Sequence, residues 1–194
     1  ALKEILISEM WDTKVNKRFL PIDFGDVFEI SYNNELRRAI LLTQTCTVAV
    51  RGDGIRSGKV AMLALENRNK FDTKSGVTIN DKEGNALTFD LDDTISYPLS
   101  LLDLTTLNSE GLAIIEGQNG NIESFLPGNT FWSDGYKQMM NNLIKELLDK
   151  FIQSQNRVVQ IDQAWIPYEV NIPKSGYVEY CFPVKRLYRL DQQY

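Results

Sequence analysis

The sequence predicts an α+β domain dominated by β structure, on three observations. Between residues 24 and 115, short segments of alternating or unbroken apolar residues recur, separated by turn-forming residues. One long stretch near the C-terminal end, about 136–153, carries helical periodicity instead. Strand character then returns as far as residue 190. The pattern places barrel-forming strands at about 24–115 and a helix with returning strands at about 133–190, within a single domain spanning 1–194.

Residues 2–11 (LKEILISEMW) fit a short helix or a first strand, and periodicity does not decide between them. Gly25-Asp26 punctuates the chain before the alternating strand Val27–Tyr32, and Asn33-Asn34-Glu35 is a turn. Ala39–Thr43 reads as a fully buried strand, Thr45–Val50 as another, ended by Arg51-Gly52-Asp53-Gly54. Residues 59–65 form a further apolar run. Val77–Ile79 and Ala86–Phe89 flank a polar, Gly-containing loop in the manner of a hairpin. Ile95–Leu102 and Leu112–Ile115 supply more strand candidates, while Gly117–Gly120 and Pro127-Gly128-Asn129 mark loops.

The helix is read from apolar residues at 136, 139, 140, 143, 144, 147, 148, 151 and 152, the spacing of one buried face. Ser133 or Asp134 is its N-cap, and Glu146 stands four residues before Lys150 in the favourable order. The Met139-Met140 pair on this stripe reads as core. Trp165–Val170 and Tyr177–Leu190 close the chain as strands, with Pro167 and Pro183 expected at edges or bulges. A last strand pairing with an early one would bring the ends of the fold together, as barrels do.

Composition narrows the chemistry. At 43% hydrophobic and 24% charged, the chain can bury a proper core and is not a disordered type. A net charge of −5 argues against bulk binding of nucleic acid through a basic surface, though not against a local basic patch. No segment has the length of a membrane span, and the N-terminus lacks a signal-peptide layout, so a cytoplasmic location is expected. Ala1 as first residue points to processing or trimming of something longer. Two distant cysteines, Cys46 and Cys181, are expected as reduced core residues.

The chain contains no histidine. That excludes Ser-His-Asp and Cys-His nucleophilic catalysis and removes the commonest general base and zinc ligand. Any catalysis would rest on carboxylates, Lys, Arg, Tyr or Cys. The carboxylates Asp90, Asp92, Asp93 and Asp103 have no metal-loop spacing, and Asp90-Leu91-Asp92-Asp93 reads as a solvated turn. No metal and no cofactor is expected.

Gly52–Lys59 superficially resembles a phosphate loop but fails on spacing, and Val60 stands where a hydroxyl is needed. It reads as a flexible cationic loop whose Arg51, Arg56 and Lys59 are solvated or meet an acidic or phosphate-bearing partner. Lys185, Arg186 and Arg189, interleaved with Tyr188, read as the charges of an exposed edge strand or as a nucleic-acid contact. Arg38 joins this set of candidate partner-binding cations. Trp11, Trp132 and Trp165 are too scattered in sequence to imply a sugar site or an aromatic cage.

Phe24-Gly25-Asp26-Val27-Phe28-Glu29-Ile30, followed by Arg37-Arg38-Ala39-Ile40-Leu41-Leu42-Thr43-Gln44, resembles the opening of the MazF/PemK-like toxin barrels. The resemblance covers residues 24–44. It implies an SH3-like, partly open barrel, here with a hairpin insertion, and places Arg37 where that family keeps an arginine that helps cleave RNA without a metal. Two departures stand out: Arg38 replaces a proline, and Val60–Glu66 lacks the Ser or Thr of the family's second catalytic group. The resulting expectation is a non-enzymatic recognition module for a protein or nucleic-acid partner, within a multicomponent bacterial system. The alternative is a metal-independent endoribonuclease of the toxin type, centred on Arg37.

Overall fold

The computed structural model describes residues 11–67, 75–81, 83–118, 131–174 and 176–191. Residues 2–10, Gly120 and Pro127-Gly128-Asn129, given expectations above, lie outside them. The strands are β1 (Trp11–Asp12), β2 (Asp26–Tyr32), β3 (Glu35–Leu41), β4 (Val60–Glu66), β5 (Gly76–Asn80), β6 (Ala86–Pro98), β7 (Leu112–Gln118), β8 (Val158–Ile161), β9 (Ala164–Pro167), β10 (Glu169–Asn171) and β11 (Tyr177–Leu190). The helices are α1 (Thr45–Val48), α2 (Leu99–Leu104), continued by a 3₁₀ turn at Thr105–Leu107, and α3 (Asp134–Gln153). The fold is mainly β, of the α+β class, as expected.

One antiparallel sheet runs in the order β1-β11-β2-β3-β4-β6-β5. β11 is its long central member. Near its start it lies between β10 and β7, since Tyr180 and Cys181 pair with both. Near its end it lies between β2 and β1, since Arg189 pairs with Asp26 and with Asp12. Pro183 falls where the β7 register breaks, between Cys181 and Lys185, as a residue without an N–H should. The expected return of the last strand onto the first ones is therefore present.

Backbone pairing does not close this sheet into a barrel. It curls nonetheless. Trp11, Val27, Ile40, Ala64, Ile79, Leu87, Phe89 and Tyr188 come from every strand of the series and form one buried cluster on one face. The indole N–H of Trp11 on β1 donates to the Asn80 carbonyl of β5, so the two end strands meet through a side chain. The opposite face presents Phe28, Ile30, Ala39, Leu41, Leu63 and Leu65 to the larger core beneath α3. The period-two alternation of β2, β3 and β4 thus fills both faces.

α3 forms where its periodicity predicts. Tyr136, Met140, Ile144, Leu147, Leu148 and Phe151 are buried, and Ile152 is left exposed at the edge of the stripe. The Phe151 ring stacks on Tyr180 of β11 at 4.3 Å, fastening the end of the helix to the sheet. Lys150 and Glu146 pair at 2.6 Å. The Asn33-Asn34 turn also stands: both residues take positive φ, 51° and 62°, the left-handed pair that a two-residue hairpin requires. The β5–β6 hairpin is paired from Gly76↔Asp90 to Asn80↔Ala86.

Other expectations are corrected. Thr45–Val50 is no strand: α1 occupies Thr45–Val48, with Val48 alone buried, because Thr43 Oγ1 accepts the Met62 N–H and ends the β3–β4 ladder just before it. Ile95–Leu102 splits at Pro98 into the end of β6 and the start of α2; a short, mainly apolar run looks the same in either state. Trp165–Val170 is two strands with different partners, β9 on β8 and β10 on β11. β8 was not anticipated. Gly117 lies inside β7 and not in a loop. In the acidic stretch Asp90–Asp93, residues 91–93 are exposed and Asp90 is half-buried, and the stretch lies within β6 and not in a turn. Cys46 is exposed and not a core residue, while Cys181 is half-buried; both are free thiols.

No helix among the described residues is long and apolar enough to cross a membrane.

Candidate functional site

α3 is capped at its N-terminus by Ser133, whose Oγ accepts the Tyr136 N–H at 3.2 Å. The 51–59 loop rests on the first turn of this helix, backbone against backbone. A Cβ on Gly135 would lie 2.0 Å from the Arg51 carbonyl oxygen, so only glycine permits the approach. The loop is also braced within itself, through Gly54 N–H to Arg51 O and Arg51 N–H to Ile55 O, both at 2.9 Å. The expected flexible cationic loop is thus a structured one.

Beneath that loop Arg56 turns inward. Its guanidinium donates two bonds to Asp103 of α2, at 2.6 and 2.9 Å, and the Tyr136 hydroxyl donates a third at 3.0 Å. The Arg56 and Asp103 side chains are 6% and 1% exposed. Burial pushes the Asp103 carboxyl up, and the guanidinium, then the tyrosine hydroxyl, pull it back. Burial opposes the Arg56 charge, but Asp103 outweighs it and leaves the guanidinium above its ordinary value. Burial and the Asp103 charge both hold the Tyr136 hydroxyl well above its usual range.

A second buried network lies where β2 meets β11. Asp26 accepts from Arg186 Nη1 at 3.3 Å, Arg189 Nε at 2.6 Å and Arg189 Nη2 at 3.0 Å. Arg186 also donates to Asn16 Oδ1 at 2.7 Å, and Asn16 returns a bond to the Arg186 carbonyl at 2.8 Å. Neither Asp26 nor Arg186 exposes any surface. Burial lowers the Arg186 pKa despite Asp26; for Arg189 the carboxylate outweighs burial and raises it.

Between the two networks opens a cleft of about 340 Å³. Leu20, Pro21, Ile22, Ala49, Val50 and Phe131 make its apolar wall, and Asp23, Ser133 and Arg189 its polar end. Tyr136 ties it to the Asp103 network and Arg189 to the Asp26 network. Phe131 is 71% exposed at the rim, and Phe24, next along the chain from Asp23, is 40% exposed. Trp132 fastens one rim to the other, its indole N–H donating to the Phe19 carbonyl.

The cations singled out from the sequence do not converge. Arg56, Arg186 and Arg189 are interior ion-pair members: Arg56 because the 51–59 loop turns it onto Asp103 of α2, and Arg186 and Arg189 because β11 is an inner strand and not an exposed edge. Arg51 is exposed beside Asp53 at 3.6 Å, and Lys59 is exposed about three helical turns further along α3. Lys185 is half-buried opposite Glu29. Arg38 lies 3.8 Å from Asp81. Arg37 donates to the Glu66 carbonyl at 2.8 Å and to Asp93 at 3.2 Å, at the far end of β4 from Lys59, roughly 20 Å away at the usual rise per strand residue.

Sequence reasoning missed Asp26 and the role of Asp103. A signal existed: Asp103 interrupts the apolar run Leu99–Leu104, and a carboxylate inside such a run needs a buried partner. Among the described residues, no group of three or more Cys, Asp or Glu side chains is placed to hold a metal ion. Comparison with protein-family models, with curated proteins and with solved structures gives no match.

Proposed function

We infer that the domain is a non-enzymatic recognition module, and that its cleft takes an apolar side chain or short apolar segment of a protein partner. One observation carries this reading: the cleft has a continuous apolar wall with exposed phenylalanine at its rim, while the arginines beside it are neutralised by Asp26 and Asp103. A polyanion would find little unpaired positive charge there, so a protein fits better than a nucleic acid. An SH3-like kinship of the curled sheet and a place in a cytoplasmic multicomponent system agree with this reading.

A peptide library displayed on phage tests it. Selected peptides are expected to share an aromatic or branched apolar anchor, and Val50→Glu or Phe131→Asp should weaken them at least tenfold, about 1.4 kcal/mol. Failure to enrich any sequence, or binding indifferent to both substitutions, would count against the reading. The endoribonuclease alternative draws less support, because Arg37 is occupied by Asp93 and the Glu66 carbonyl. Single-stranded RNA incubated with the protein in EDTA is expected to stay intact. Cleavage that disappears in Arg37→Ala would replace the binding reading with the nuclease one.

A further inference from the structure

The β8–β9 hairpin turns through Asp162 and Gln163, both at positive φ, 43° and 71°. Its inner face carries Val159, Ile161 and Ile166 into the core. Alternation therefore puts Gln160 and Trp165 on the outer face, directly opposite one another in the ladder. Trp165 is 68% exposed, whereas Trp11 and Trp132 are each 4% exposed. An indole in water on a rigid two-stranded hairpin is an unusual use of the largest apolar side chain.

Beside this hairpin lies a polar cleft of about 470 Å³, between it, α3 and the start of β4. Lys59, Glu146, Lys150, Gln160, Asp162 and Gln163 line it. Its walls are held in place. Lys150 Nζ donates to Glu146 at 2.6 Å and to the Gln160 carbonyl at 2.9 Å, and Ser100 donates to Asp162 at 2.7 Å. Two lysines face two carboxylates, so the cleft has no excess charge to draw a polyanion. The carboxamides of Gln160 and Gln163 each offer donors and an acceptor. Such a wall suits groups that donate and accept at once, as hydroxyls do.

The geometry points to a saccharide-binding site in which the Trp165 indole stacks on the apolar face of a pyranose ring and the cleft hydrogen-bonds its hydroxyls. The ligand class is a neutral oligosaccharide. This site is separate from the cleft at the start of α3, so its failure and that of the recognition reading are distinguishable. The scatter of the three tryptophans in sequence hid it, because one exposed indole beside a polar cleft suffices.

Trp165 is its own reporter, the other two indoles being buried. Chitotetraose, maltotetraose, cellotetraose and, for contrast, a thymidine decanucleotide would be titrated into the intact chain, with fluorescence and calorimetry as readouts. One tetrasaccharide at least is expected to shift the emission to the blue and saturate at millimolar concentration or below, with the oligonucleotide inert. Trp165→Ala should remove the calorimetric signal while leaving thermal melting unchanged, and Gln160→Ala should weaken it at least tenfold. Val50→Glu, in the other cleft, should leave it intact. No response to any of the sugars, a response to the oligonucleotide alone, or undiminished sugar binding by Trp165→Ala would overturn the assignment.

Discussion

Asp26 and Asp103 are both fully buried carboxylates that meet arginine, yet they do different jobs. Asp26 joins members of the sheet: it lies on β2, and Arg186 and Arg189 come from the neighbouring β11. Asp103 joins parts that no ladder connects, the 51–59 loop, α2 and the first turn of α3. The first secures strand register around a long central strand. The second holds a loop down on a helix end and thereby shapes one side of the apolar cleft. The lesson is that like ion pairs differ in what they protect, and in what is left behind when one partner goes.

A buried guanidinium cannot discard its proton, whereas a buried carboxyl can acquire one. Asp26→Ala strands Arg186 in a site with no exposure and removes the only carboxylate facing Arg189 among their described hydrogen-bond partners. The expected cost is about 4–5 kcal/mol, enough to threaten a domain of ordinary stability. Urea unfolding and near-ultraviolet circular dichroism would show it. A variant that unfolds at nearly the wild-type midpoint would contradict the framework role.

Arg56→Ala should cost less, about 3 kcal/mol at neutral pH. Burial already pushes the Asp103 carboxyl up, and losing Arg56 raises it further. A raised carboxyl favours the fold below the unfolded value and loses that advantage as pH rises through the folded value. The deficit relative to wild type should therefore shrink as pH falls from 7 toward 4, and Asp26→Ala should show no such recovery. The pair Arg56→Met with Asp103→Leu should return to within about 1 kcal/mol of wild type, since buried pairs can be exchanged for apolar ones. No equivalent exchange is expected at Asp26, where two arginines and Asn16 converge.

The smallest effect is expected on the opposite face of the sheet. Tyr188 packs edge-on against Trp11 at 4.5 Å, and its buried hydroxyl has no hydrogen-bond partner among the described residues. Burial pushes that hydroxyl up to about 12. Its share of stability is complete below the unfolded value near 10 and is lost as pH rises through about 12. Tyr188→Phe should change stability at neutral pH by less than about 1 kcal/mol and flatten the alkaline decline, as urea midpoints at pH 9 and 11.5 would show. A large loss at neutral pH would mean that the hydroxyl has a partner after all.

β2, the Asn33-Asn34 turn, the β5–β6 hairpin, β11 and α3 were legible because each carries its own local signal: alternation, a left-handed turn pair or an amphipathic stripe. α1 and α2 were not. α1 is rich in β-branched Thr and Val and α2 is leucine-rich, and only their surroundings decide between strand and helix. At the candidate site, the arginines could be named from sequence, but not which of them face inward. Arg186 alternates with apolar neighbours much as an edge-strand charge would, and only the placement of β11 at the centre of the sheet buries it.

By itself the sequence determined that this is a strand-dominated α+β chain with one long amphipathic helix and no histidine chemistry, because period, turn residues and composition are local properties. The tertiary structure alone decided that three candidate cations became interior struts, that an apolar cleft opens between their networks, and that one tryptophan of three stands in water. Burial and pairing depend on which strands lie side by side, and that is settled by contacts between residues far apart in the chain.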